Sequence, residues 1–283
     1  MDKQEALARL QDEELDILLA VCRFCEENNI GWFIDAGSLL GAARHGGFIP
    51  WDDDIDISML RQDYDRFIEL AGKDFIPGYS VHTYDNTPGY SEMFAKVYKD
   101  GTQFLTQETK DAGCSQGIFI DIFPYDALST DERVASKQRK NAKLWQSLAY
   151  LHRSGHIVVP HKGVLGALER LACRVAHVPV RAFLSRFKIK NSFDRCICSE
   201  ECLPGDTVIQ LAWPNIAGYR VEDLFPTCTV EFAGHEFPAP RLWEQYLEQM
   251  YGDWKKLPAP EDRKTHLPLK LVFSDGASWS CGC

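Results

Sequence analysis

Four carboxylates fall within five residues of the stretch FIPWDDDIDIS, Phe48 to Ser58: Asp52, Asp53, Asp54 and Asp56. Isoleucines follow the last two, at Ile55 and Ile57. Side chains in a strand alternate faces with a period of two, so Asp54 and Asp56 point one way and the isoleucines point to the core. Carboxylates about 7 Å apart on one face can converge on one ion where a strand twists or ends. Burying either without a positive partner costs several kcal/mol, so something positive is expected there. Oxygen-only ligation selects a hard cation, Mg2+ or Mn2+. GIFIDIF, Gly117 to Phe123, repeats the design: Ile118, Ile120 and Ile122 share a face, and Asp121 lies between Phe119 and Phe123 on the other. A metal shared with Asp54 and Asp56 would give Asp121 a partner. Asp52 and Asp53 are equally readable as a solvated acidic loop. An EF-hand fails on register, because Ile57 stands sixth from Asp52 where glycine is needed and Asp63 stands twelfth in place of the usual glutamate.

Gly37-Ser38 follows a short apolar segment and opens a probable-helix pattern. Backbone N–H groups at a helix start bind phosphate, and glycine lets the phosphate approach. The pair gains weight from lying one short helix and one return before the acidic strand.

These residues need elements to position them. Leu15, Leu18, Leu19, Cys22 and Cys25 are spaced for an amphipathic helix over residues 12–28. Strands are predicted at 31–34, 54–59, 79–84, 92–98 and 117–123, the last stopping at Pro124, with helices at 37–44 and 62–70. From Asp131 the pattern is helical: one long helix to about Leu151, another over 163–176, a third after Pro179, and a final one from Arg241 to Tyr251 stopped by Gly252. The expected fold is α+β, a mixed sheet with flanking helices followed by a mainly helical part. The expected division is 1–130 for the catalytic core and 131–283 for the helical part.

The chain has 283 residues, 45% hydrophobic and 25% charged, which suits a globular protein with a full core. No apolar run reaches the ~18 residues of a membrane span. The N-terminus MDKQEALARLQDEELD lacks the apolar stretch of a signal peptide, so a cytoplasmic location with reduced thiols is expected. Cys196, Cys198 and Cys202 are one ligand short of a zinc site. The net charge of −10 hides an asymmetry: between Arg133 and Lys190, 13 Lys and Arg meet a single acid, Glu169. That basic block either packs on acidic surface of its own chain or meets an anionic partner such as a membrane face.

Three blocks resemble the LicD family, which includes fukutin-related protein. They are DAGSLLGAARHGGFIPWDDDIDISM (Asp35 to Met59), GIFIDIFPYD (Gly117 to Asp126) and FPAPRLWEQYLEQMYGDWKKLP (Phe237 to Pro258), with His266 shortly after. The resemblance implies a nucleotidyltransferase-like fold. It also implies transfer of phosphocholine or a polyol phosphate from a CDP-alcohol donor to a glycan or lipid-linked glycan, with no nucleic-acid partner. Matched residue by residue, it assigns Gly37 and Ser38 to donor phosphates and Asp54 and Asp56 to metal. Asp121 becomes a third metal ligand or the base, and Lys96 in FAKVYKDGT a phosphate partner. Arg44, His45, Trp51 and His266 are further substrate-side candidates. The segment 133–190 and the tail 274–283 match least. Two other functions remain in view: a nucleotidyltransferase moving NMP onto a small hydroxylated acceptor, and a non-catalytic module binding anionic glycopolymers.

Overall fold

The computed structural model describes residues 1–157, 159, 161–197, 202–213, 218–265 and 267–281. Its first half runs α1 (Lys3–Asn28), β1 (Phe33–Ile34), α2 (Ala36–His45), β2 (Asp56–Leu60), α3 (Arg61–Ala71), β3 (Tyr79–His82), β4 (Ala95–Lys99), β5 (Gln103–Leu105), α4 (Gln107–Ala112) and β6 (Phe119–Ala127). Three helices follow: α5 (Glu132–Arg153), α6 (Gly163–Phe183) and α7 (Arg186–Asp194). The chain then alternates through β7 (Thr207–Ile209), β8 (Tyr219–Arg220), α8 (Val221–Leu224), β9 (Cys228–Phe232), β10 (His235–Ala239), α9 (Trp243–Tyr251), β11 (Lys270–Val272) and β12 (Ser278–Ser280).

The central sheet is mixed, in the order β1-β2-β6-β4-β3, with β7 joining β6 and β8 joining β7. The pair β2–β6 is parallel and its other pairs are antiparallel. The α+β expectation therefore holds, but the second half is less purely helical than expected. β7 and β8 extend the central sheet, and β11 returns to pair with β5 near the front of the chain.

α1 starts well before residue 12. Asp2 caps it by accepting from Glu5 N at 2.8 Å. Its buried face is Leu7, Leu10, Ile17, Leu18, Val21, Phe24 and Cys25, while Leu15, Leu19 and Cys22 lie at the margin. Of the expected stripe only Leu18 and Cys25 are buried; Ile17, Val21 and Phe24 take the place of Leu15, Leu19 and Cys22. Each fully buried aliphatic side chain on such a face contributes about 1.5–3 kcal/mol.

Two prolines correct the predicted boundaries. β6 runs through Pro124. Asp121 N donates to Ile55 O across the β2 side, so by alternation position 124 turns its nitrogen to the other side. There β4 has already ended at the Ala95–Ile122 pair, and no ladder bond is lost. α6 likewise continues past Pro179 to Phe183, with the proline in its last turns. The eight described cysteines are free thiols. Cys198 lies outside the described residues, and Cys196 and Cys202 instead donate weakly to the Ser192 and Tyr125 carbonyls.

Candidate active site

The sheet register gathers the acids. Asp56 pairs with Asp121 across β2 and β6, Asp121 with Lys96 across β6 and β4, and Lys96 with His82 across β4 and β3. Residues directly opposite one another share a sheet face, so these four form one row. Ile55, Ile57, Ile120 and Ile122 are fully buried. The period-two reading of both acidic segments thus places acids and isoleucines on opposite faces.

α2 brings Gly37 and Ser38 to the row. Asp35 caps the helix, and its carboxylate accepts from Ala36 N at 2.5 Å. Ala36 holds φ of +43°, a left-handed conformation unusual for alanine, at the turn that aims the helix start. A Cβ on Gly37 would lie 2.9 Å from Asp52 Oδ2, so glycine is what allows the helix to pass the acidic loop. Ser38 Oγ accepts from Asp56 N at 2.9 Å, tying the first turn of α2 to the start of β2.

Asp35 itself is fully buried. It accepts from Ser58 Oγ at 2.5 Å, from Gln210 Nε2 at 2.7 Å and from Tyr246 OH, and Tyr246 OH also meets Tyr125 OH at 2.8 Å. Burial raises its pKa, and those donors counteract the rise. The C-terminal block with α9 thereby fastens the base of the site through Tyr246.

The acidic loop is not solvated. Asp53 is buried, Asp52 is half-buried, and Gln11 of α1 donates to Asp52 O at 2.8 Å. Burial, then Asp54 and Asp53, push Asp52 up to about 8, and it shares a hydrogen bond with Asp54. Asp56 is raised well above the usual range by burial and then by Asp54, Asp121, Asp35 and Asp52. Asp121 sits at about 6: burial raises it, Lys96 opposes, and Asp54 and Glu92 add to the rise.

Lys96 Nζ donates to Asp121 Oδ1 and lies 3.6 Å from the Phe119 ring centre. It also lines a cavity of about 400 Å3 together with Phe119, Tyr150, Arg153, His156 and Trp213. Glu92 lines the same cavity; burial raises its pKa, but Arg153 at 2.8 Å and then Lys96 hold it below the ordinary carboxyl value.

Other expected residues hold the surrounding segments. Arg44, in the last turn of α2, donates to Trp254 O at 3.1 Å and Lys256 O at 3.4 Å, so it pins the segment after α9. His45 meets Trp51 edge-on at 6.2 Å, and Arg263 covers the other part of that ring at 5.0 Å. His266 lies outside the described residues.

A residue missed in the sequence is Glu14. It is fully buried, and neither carboxylate oxygen has a hydrogen-bond partner. Its pKa is pushed well up by burial and then by Asp54, Asp53, Asp52 and Asp121. The signal was available: Glu14 is an acid inside the apolar stripe, four residues after Leu10 and four before Leu18.

These acids suit a hard cation in chemistry. They are oxygen donors, they raise one another's pKa, and Glu14 leaves two buried oxygens unpartnered. Among the described residues, no three acidic, His or Cys side chains are drawn together closely enough to ligate an ion, and Lys96 supplies the nearby positive charge.

Comparison with known proteins follows the same residues. The profile described as "LicD/FKTN/FKRP, nucleotidyltransferase domain" matches residues 29–158. Lipopolysaccharide cholinephosphotransferase LicD of Haemophilus influenzae is 29% identical over 264 residues, 89% of this chain and 92% of that protein. This chain is similar to the LicD family over residues 29–158. Ribitol 5-phosphate transferase FKRP of Mus musculus is 43% identical over 47 residues, 17% of this chain and 10% of that protein. The LicD-family match contains Gly37, Ser38, the acidic loop, Lys96 and Asp121, whereas Glu14 and α9 fall outside it.

Proposed function

We propose that this chain transfers a phosphorylated alcohol, phosphocholine or a polyol phosphate, from a CDP-alcohol to a glycan hydroxyl and releases CMP. The observation that carries the proposal is the Asp56–Asp121–Lys96 row, built on three adjacent strands of the segment similar to the LicD family. Phosphoryl transfer asks the protein for positioning and electrostatics more than for covalent chemistry.

Asp54 and Asp56 would hold Mg2+ or Mn2+, with Glu14 adding negative charge behind them. When bound there, such a cation would supply charge neutralisation for the donor diphosphate. The first turn of α2, with Gly37 and Ser38, receives donor phosphate oxygens. Lys96 faces both Asp121 and the cavity, so it can pass from the carboxylate to a phosphate oxygen. Asp121 takes the proton of the acceptor hydroxyl on the oxygen that Lys96 does not hold, and its pKa of about 6 suits that task. The acceptor oxygen forms a bond to the phosphorus bearing the alcohol. The bond from that phosphorus to the bridging oxygen breaks, and CMP leaves with the electron pair.

Residues 1–130 serve as the catalytic core, and the rest shapes the acceptor side. The test is a panel of CDP-alcohols with glycan acceptors, scored for metal-dependent CMP release. Free CMP with the phosphorylated alcohol on the acceptor supports the proposal. NMP attached to the acceptor would identify a nucleotidyltransferase instead, and no turnover alongside tight glycopolymer binding would identify a binding module.

A further inference from the structure

α6 is amphipathic in the wrong sense for a helix that only serves a core. It packs on α5, where His177 Nδ1 lies 2.6 Å from Leu151 O, and Gly166 is buried. Its outer side is apolar: Val164 is 79% exposed, Leu168 58%, Leu171 57%, Val175 64% and Val178 66%. At 3.6 residues per turn these five fall within about 80° of arc. Phe183 and Phe187 extend the exposed apolar surface beyond the helix end. α1, by contrast, buries its apolar stripe against the sheet. An exposed apolar patch of this kind marks an interaction site.

The charges of α6 are arranged around that stripe. Arg170, Arg174 and Arg181 project from one flank, within about 40° of one another. The lone acid Glu169 is turned inward, with His161 Nδ1 at 2.6 Å. Arg174 and Arg181 also line a cleft of about 300 Å3 with Arg153, Ser154, His156 and His177. Arg153, Ser154 and His156 in turn line the cavity beside Lys96. The cleft, which Asp111 also lines beside His156, therefore continues from the flank of α6 toward the cavity at Lys96.

We propose that α6 is an interfacial helix that lies on an anionic lipid bilayer. The apolar stripe enters the acyl boundary, and the arginine flank and its cleft take headgroup phosphates. Among the described residues no helix is long and apolar enough to cross a membrane, so α6 lies in the surface plane. A bilayer, unlike a soluble glycopolymer, covers aliphatic side chains and arginines together. The flank of three like charges favours an anionic surface over a second copy of the same helix. Docking stands on α6 alone; if the proposed transfer also holds, the cleft faces lipid-linked acceptors.

The test is flotation of the full chain with phosphatidylcholine vesicles, with and without 30% phosphatidylglycerol, over a salt series, and sedimentation velocity without lipid. Wild type should float with the anionic vesicles only, and less as salt rises. The double variant L168E/L171E should fall to background. The triple variant R170E/R174E/R181E should lose on the order of 100-fold in partitioning. All these side chains except Leu168 and Leu171 are polar and every one is exposed, so circular dichroism should match wild type in each variant. Absence of flotation at low salt, equal flotation with neutral vesicles, or a lipid-free dimer that L168E/L171E dissociates while vesicle binding persists would each overturn the proposal. None of these readouts depends on transfer activity.

Discussion

The chain treats two sets of buried and half-buried acids in opposite ways. On one side, Asp35 is closed by Ala36 N, Ser58, Gln210 and Tyr246, and Asp126 of β6 is answered by Arg61 Nε at 2.6 Å. On the other, Asp52, Asp56, Asp121 and Glu14 are each pushed up by neighbouring carboxylates, Asp54 among them, and Asp121 is bonded to Lys96. In the first set Asp35 is saturated by donors, Asp126 is held by Arg61, and both fix geometry. The second keeps like charges together in a buried place, which costs stability unless a cation, protons or a positive substrate group relieves it. That contrast is a physical reason to place chemistry at the second set.

The largest effect should separate the sets by activity. Asp54→Asn, Asp56→Asn or Asp121→Asn should each lower CMP release by about 1,000-fold or more. The melting temperatures of D54N and D56N should be unchanged or higher, because a repelling charge is removed, whereas D121N takes the partner from buried Lys96 and should melt lower; a large loss of stability in D54N or D56N would place those acids with the structural set.

The next effect should separate them by stability. Arg61→Met leaves Asp126 buried without its ion-pair partner and should cost about 3–5 kcal/mol in urea unfolding. A neutral result would mean that Asp126 is not held by Arg61.

Glu14→Gln gives a smaller, pH-dependent change. The folded pKa of Glu14 lies above its ordinary 4.5, so the stability tied to its neutral form is complete below 4.5 and is lost as pH rises through the folded pKa. Glutamine does not titrate. The variant should gain about 1–2 kcal/mol at pH 8 and nothing at pH 4 in calorimetric melts without divalent metal. An equal gain at both values would remove the charge explanation.

The smallest effect tests the saturated set. Ser58→Ala removes one of the donors to Asp35 and should cost about 1 kcal/mol, with CMP release per folded molecule unchanged.

Much of this contrast was legible in the sequence, because strand alternation is a local rule. Asp54, Asp56 and Asp121 could be set against Ile55, Ile57, Ile120 and Ile122 from spacing alone. Register between strands is not local, so nothing in the spacing told that Asp56, Asp121 and Lys96 would stand side by side. Asp35 was visible only as part of a motif, since its partners Gln210 and Tyr246 lie 175 and 211 residues away. Glu14 was overlooked because the helix was started at residue 12, which hid that an acid interrupts its apolar stripe. Pro124 and Pro179 misplaced two boundaries, because proline stops an element only where its missing N–H was needed. The apolar spacing of α6 announced a helix, but which side faced solvent depended on α5.

If Asp54 and Asp56 form a divalent-cation site, calorimetric titration of Mn2+ into the wild-type chain at pH 8 shows it most directly. Saturable binding is expected, weakened at least about tenfold in D54N and D56N and left unchanged in S58A. No saturable binding by wild type, or equal affinity in D54N, D56N and S58A, would contradict that assignment.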